Sequence, residues 1–123
     1  MKIFFLISIF LLTIFTNFAR ADFIHPLDFN PQKHKDEVIK YIQERVHKDY
    51  CEGQVDMCQE STLRMMEKSN LEDFKKATTA KDRQIMDRVI KDYCDSGVDM
   101  CNYSTIWMMY QQNLEASKQK LSW

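Results

Sequence analysis

The segment KDYCDSGVDMC, Lys91 to Cys101, is a near-copy of KDYCEGQVDMC, Lys48 to Cys58, forty-three residues upstream. Sliding the chain on itself by that distance extends the match without a gap. Arg45-Val46 aligns with Arg88-Val89, Ser61-Thr62 with Ser104-Thr105, Met65-Met66 with Met108-Met109, and Asn70-Leu71-Glu72 with Asn113-Leu114-Glu115. Eighteen of the thirty-one positions from Arg45 to Lys75 are identical to their counterparts. Shared composition does not produce such agreement, so the chain carries a tandem repeat over about 38–77 and 81–120. Whatever one copy folds into, the other is expected to fold into as well.

The first residues indicate where these cysteines live. MKIFFLISIFLLTIFTNFARA has one Lys near its start, a largely apolar run from Ile3 to Leu12, and Ala19-Arg20-Ala21 as a small-x-small cleavage pattern. The run is shorter than the roughly 18 to 20 residues of a spanning helix. Residues 1–21 therefore read as a secretory signal cleaved after Ala21, with no stable membrane insertion afterwards and a periplasmic or secreted location. Residues 22–123 remain, the size of a single domain. Asn102-Tyr103-Ser104 is also a glycosylation sequon, which would matter only in a glycosylating host.

In an oxidising compartment an even number of cysteines reads as disulfides, and Cys51, Cys58, Cys94 and Cys101 allow three connectivities. Zinc is the weaker reading, because both pairs are spaced more widely than a zinc knuckle and His25, His34 and His47 all lie upstream of the first pair. Loop closure over an eight-residue ring contributes about 2.5 kcal/mol per bridge, against about 4 for a bridge joining the copies. Repeat symmetry nonetheless favours the local pairs, Cys51 with Cys58 and Cys94 with Cys101.

Each copy reads as two helices. Asn30 can cap and Pro31 can open a first helix with Val38, Ile42, Val46 and Tyr50 four residues apart, and Ile85, Val89 and Tyr93 form the second copy's stripe. Asp56 with Gln59, and Asp99 with Asn102, place capping side chains before the second helix of each copy. Leu63, Met66, Leu71 and Phe74 supply that helix's apolar face in one copy, and Ile106, Met109, Leu114 and Leu121 in the other. Helices are expected near 31–50, 59–77, 81–93 and 102–119. The fold class is all-α: two tandem disulfide-stapled helical hairpins packed as a four-helix domain. A forty-residue hairpin buries too little apolar surface to hold itself, so a staple at each bend and a second hairpin to pack on are physically reasonable.

Composition narrows function by exclusion. With Lys2 and Arg20 gone the net charge is about −3, and the remaining Lys and Arg alternate with Asp and Glu, as in LEDFKK, which argues against nucleic acid. His47 lacks a second histidine or a nucleophile motif, and its counterpart is Ile90, so it reads as a core-edge residue and not a general base. Seven methionines remain after cleavage, and methionine at helical spacing is usually core filler. No metal or other cofactor is expected, and no enzymatic activity. The phrase DFIHPLDF, Asp22 to Phe29, is expected to pack across a groove between helices.

The informative difference lies between the copies. Glu60, Arg64 and Glu67 become Tyr103, Trp107 and Tyr110, spaced i, i+4, i+7 on one helix face. Either this aromatic stripe is buried, or it is a contact surface of the kind protein interfaces favour. Tyr103, Trp107 and Tyr110 are therefore the candidate partner-binding residues. The function expected is a small exported, non-enzymatic binding protein, an immunity or inhibitor protein acting on an enzyme or toxin in its compartment; the runner-up is a copper or small-ligand carrier.

Overall fold

The computed structural model describes residues 19–53 and 56–123. Positions 1–18 of the expected signal segment, and Gln54 and Val55 of the first phrase, lie outside the described residues. Among the described residues the chain is all-helical, with four α-helices and no strand. They are α1 (Pro31–Cys51), α2 (Glu60–Ala77), α3 (Arg83–Ile90) and α4 (Tyr103–Ser117). A 3-10 turn over Pro26–Asp28 precedes α1, and α3 runs on into a π turn over Lys91–Asp95. No helix among the described residues is long and apolar enough to cross a membrane.

Local chemistry accounts for most helix ends. Asn30 Oδ1 accepts from the Gln32 N–H at 3.0 Å with Pro31 behind it, Asp82 Oδ1 accepts from Ile85 N–H at 3.0 Å, and Asn102 Oδ1 accepts from Thr105 N–H at 2.8 Å. Helix α2 has no such cap: Gln59 makes no capping hydrogen bond, and neither Asp56 nor Asp99 caps as expected. Asp99 instead takes a left-handed φ of 52° and turns its carboxylate to α1. Gly97, two residues earlier, takes φ 83°, which its lack of a Cβ allows. Leu121, expected on the apolar face of the last helix, lies beyond its end and is exposed.

The cysteines pair locally, Cys51 with Cys58 and Cys94 with Cys101, with Cα atoms 4.6 Å apart in both. The two loops also share a backbone bond, Met57 N–H to Tyr50 O and Met100 N–H to Tyr93 O, each at 3.2 Å.

Helix α2 packs between α1 and α4, and α3 covers the far side of α4. Ser104 N–H at the start of α4 donates to Asn70 Oδ1 in the second half of α2, at 3.2 Å. Tyr110, farther along α4, meets the segment beyond the end of α2: its Oη accepts from Lys81 and Asp82 N–H at 3.2 and 3.1 Å. Helix α4 therefore runs in the same sense as α2 but is displaced along it, which brings the second copy's loop alongside the middle of α1. One core cluster joins Val38, Ile42, Val46, Leu63 and Phe74 to Tyr103, and a second joins Ala77 to Met86, Val89, Ile106 and Tyr110. Tyr103 from the second copy and Ala77 from the first each complete the other copy's cluster.

The segment before α1 straps both clusters. Phe23, Ile24 and Phe29 pack on the first and Leu27 on the second. Polar contacts hold its outer edge to α3: His25 Nε2 lies 2.7 Å from Asp87 Oδ1, and Arg83 reaches both Asp28 oxygens at 2.8 and 2.9 Å. Among the described residues Met86 is the methionine fully inside; Met57, Met65, Met100 and Met108 are exposed, so the core-filler expectation fails for these four.

Candidate functional site

The aromatic stripe of α4 turns inward. Tyr103 is fully buried, stacks on Phe23 with ring centroids 5.1 Å apart, and meets Phe74 edge-on at 4.7 Å. Its Oη accepts from Ile24 N–H at 3.1 Å and donates to Ile24 O at 3.0 Å, so the ring is bonded at both ends of its polarity. Burial pushes its phenol well above the usual tyrosine range. Tyr110 is buried too, and Trp107 lies half-buried, stacked on Tyr110 at 5.6 Å. As contact surface, Tyr103 and Tyr110 are therefore ruled out in this fold: α4 has helices on two sides, and a face spanning i to i+7 is enclosed by both.

The corresponding space in the first copy is open. A groove of about 260 Å³ runs between α1 and α2, with Ile39, Ile42 and Leu71 as apolar floor and Arg64, Glu67 and Lys68 on its rim. Arg64 and Glu67 are the counterparts of Trp107 and Tyr110, and they form an ion pair at 3.2 Å, extended to Glu60 at 3.6 Å. Tyr110 binds the amide of Asp82, the counterpart of Ile39. The second copy thus fills with aromatic rings the space that the first leaves open. None of these groove residues was singled out as a site from the sequence, although the same copy difference, read from the charged side, points to them.

On the outer side of α1 lies a wider cleft of about 630 Å³, bordered by Tyr41, Glu44, Arg45, His47, Lys48 and Glu52. Residues Ala19 to Ala21 cross it, with Lys40 Nζ donating to Ala19 O and Ala21 N–H donating to Glu44, both at 3.0 Å. Those three residues belong to the expected signal, so this cleft's present outline depends on a segment whose removal is expected. His47 is exposed on this side and not at the core edge as its counterpart Ile90 suggested.

A polar latch joins α1 to the second copy's loop. Arg45, with its side chain 9 % exposed, donates to Asp99 Oδ1 at 2.7 Å and also reaches Asp49; Lys48 Nζ lies 2.9 Å from Asp99 Oδ2. The hydrogen bonds from Arg45 and then Lys48 hold the Asp99 carboxyl down to about 2. Tyr41 Oη donates to Cys101 O at 2.5 Å, and burial pushes that phenol up to about 12. No family model matches this chain, and no curated protein or solved structure matches it.

Proposed function

We propose that the chain is a small exported, non-enzymatic binding protein of the immunity or inhibitor kind, in which two stapled hairpins form a four-helix unit and the first hairpin presents the contact surface. One observation carries this reading: the α1–α2 groove is open with an apolar floor, at the place where the duplicate is plugged by its own Trp107 and Tyr110. A partner protein inserting an aromatic or aliphatic side chain would bury Ile39, Ile42 and Leu71, while Arg64, Glu67 and Lys68 form the polar rim typical of such contacts. Ile39 is 39 % exposed, more than its apolar neighbours on α1. The staples and the short loops hold the groove preformed, which lowers the entropy lost on association.

The test is capture from the native envelope by wild-type protein and by an Ile39→Arg variant. The substitution sits at an exposed helix position, so melting followed by circular dichroism should shift by no more than about 0.5 kcal/mol. The expected result is a protein retained by wild type and lost with Ile39→Arg. Retention of the same protein by both would remove the groove from the account.

A further inference from the structure

The first staple carries a feature that the second lacks. His47 and Cys51 lie one turn apart on the last turns of α1, and Cys58 comes to them from the loop. An imidazole nitrogen and the two sulfurs all fall within 4.8 Å of one another. His47 and Cys58 are exposed and Cys51 is half-buried, so the cluster is open to solvent. Glu52 places a carboxylate oxygen 3.8 Å from His47 Nδ1. In the second copy the histidine position is Ile90 and Cys101 is buried, so the same disulfide stands there without an imidazole or an open side.

We propose that the first staple is a redox-gated metal site: once reduced, Cys51, Cys58 and His47 bind a tetrahedral d¹⁰ cation of the Zn²⁺ class. A dithiol reductant opens it. The Cys51–Cys58 bond breaks, the reductant's two sulfurs join as a disulfide, and its two thiol protons pass to the Cys51 and Cys58 sulfurs, so two electrons and two protons are transferred. The cation then displaces both thiol protons into solvent and bonds both thiolates and one nitrogen of His47. Water or the Glu52 carboxylate takes the fourth position. Zinc–sulfur bonds of about 2.3 Å and zinc–nitrogen bonds of about 2.0 Å place tetrahedral ligand atoms roughly 3.5 Å apart. The ligand atoms, all within 4.8 Å of one another, stand close to that separation before any rearrangement.

An i, i+4 His–Cys pair needs the last turns of α1 to stay helical, so the metal also replaces the clamp that reduction removes. Intact, the disulfide occupies both sulfurs and the site is closed.

Cobalt(II), whose thiolate charge-transfer and tetrahedral ligand-field bands report this ligand set, is the probe. The full-length mature chain is reduced with dithiothreitol, desalted without oxygen and titrated, followed by competition with Zn²⁺. The expected result is one Co²⁺ per reduced chain and none for the oxidised chain. His47→Ile, the second copy's residue type at this place, should weaken binding by at least about tenfold. Cys51→Ser with Cys58→Ser should abolish it, and Cys94→Ser with Cys101→Ser should leave it intact. The variants are all measured reduced, so the serine variants lose no bridge that reduction has not already opened, and circular dichroism reads the helix content of each. Equal binding by oxidised and reduced chains, no binding by the reduced chain, an unchanged affinity in His47→Ile, or loss of binding in the Cys94→Ser, Cys101→Ser chain would each overturn the proposal. The result is independent of whether the α1–α2 groove binds a protein.

Discussion

Cys58 and Cys101 hold the same place in two copies of one phrase, yet Cys58 is exposed and Cys101 is buried beside α1. The residues around them diverge in the same way. Asp99 is clasped by Arg45 and Lys48, whereas neither its counterpart Asp56 nor Arg88 and Lys91, the counterparts of the clasping pair, makes an ion pair among the described residues. Lys48 to Cys51 close α1 as ordinary α-helix, while the identical Lys91 to Cys94 belong to a π turn. The cause is position. The second copy docks its loop and its α4 against α1 and α2 of the first, whereas the described part of the first copy's loop stays exposed.

The charged Glu60 and Arg64 suit a largely exposed face of α2, with Glu67 paired to Arg64 at its edge. The aromatic residues at the matching places in α4 are what an inner face needs. The duplication preserved the staple and the loop hydrogen bond in both copies and let the packing faces part.

Exchanging residue types between the copies should break this contrast most strongly. Tyr103→Glu puts an unpaired carboxylate where a fully buried ring carries two hydrogen bonds to Ile24, and should cost roughly 3–5 kcal/mol, much of the 5–10 typical of such a chain. Thermal melting by circular dichroism should show a midpoint lowered by more than about 10 °C. The reverse change, Glu60→Tyr, falls where the side chain is 87 % exposed and should alter stability by no more than about 0.5 kcal/mol. Comparable losses from both changes would mean that the two faces are not inner and outer.

The staples come next. Removing either bridge by paired Cys→Ser changes should cost about 2.5 kcal/mol by loop closure, alike in the two copies because the rings are alike. The order of opening should differ. Under limiting reductant Cys51–Cys58 should open first, since Cys58 is exposed and Cys101 buried; alkylation followed by peptide mapping reads the order. Simultaneous opening would show that the latch does not shield the second staple.

The smallest effect belongs to the latch itself. Asp99→Asn keeps a side chain that tolerates the left-handed backbone but removes the charge, at about 1 kcal/mol or less because the carboxylate is 57 % exposed and screened. Asp56→Asn should leave melting unchanged. A carboxyl held down in the folded state stabilises fully above its unfolded value and loses that contribution as pH falls, so the difference between wild type and Asp99→Asn should be complete above pH about 4 and fade toward pH about 2. A difference that persists at pH about 2 would assign the effect to the backbone instead.

Much of this was legible in the residues. Apolar spacing located α1 and α2 to within a residue at their ends, Asn30 with Pro31 marked the start of α1, and the phrase symmetry implied the local cysteine pairs. The end of α3 was not legible, because the tetrapeptide that leaves it is the one that finishes α1. Asp99 read as a cap and proved to be a latch, since its partners Arg45 and Lys48 lie 54 and 51 residues away in sequence and only packing brings them near.

The sequence alone determined helix type, the start of α1 and the chemistry of the staples, because side-chain periodicity, capping and thiol pairing over eight residues act over a few residues of chain. Tertiary structure alone decided which copy's faces are enclosed, that Tyr103 and Tyr110 lie inside, that the α1–α2 groove stays open, and that His47 stands beside an exposed disulfide. Identical stretches have identical local preferences; they differ only through what packs against them.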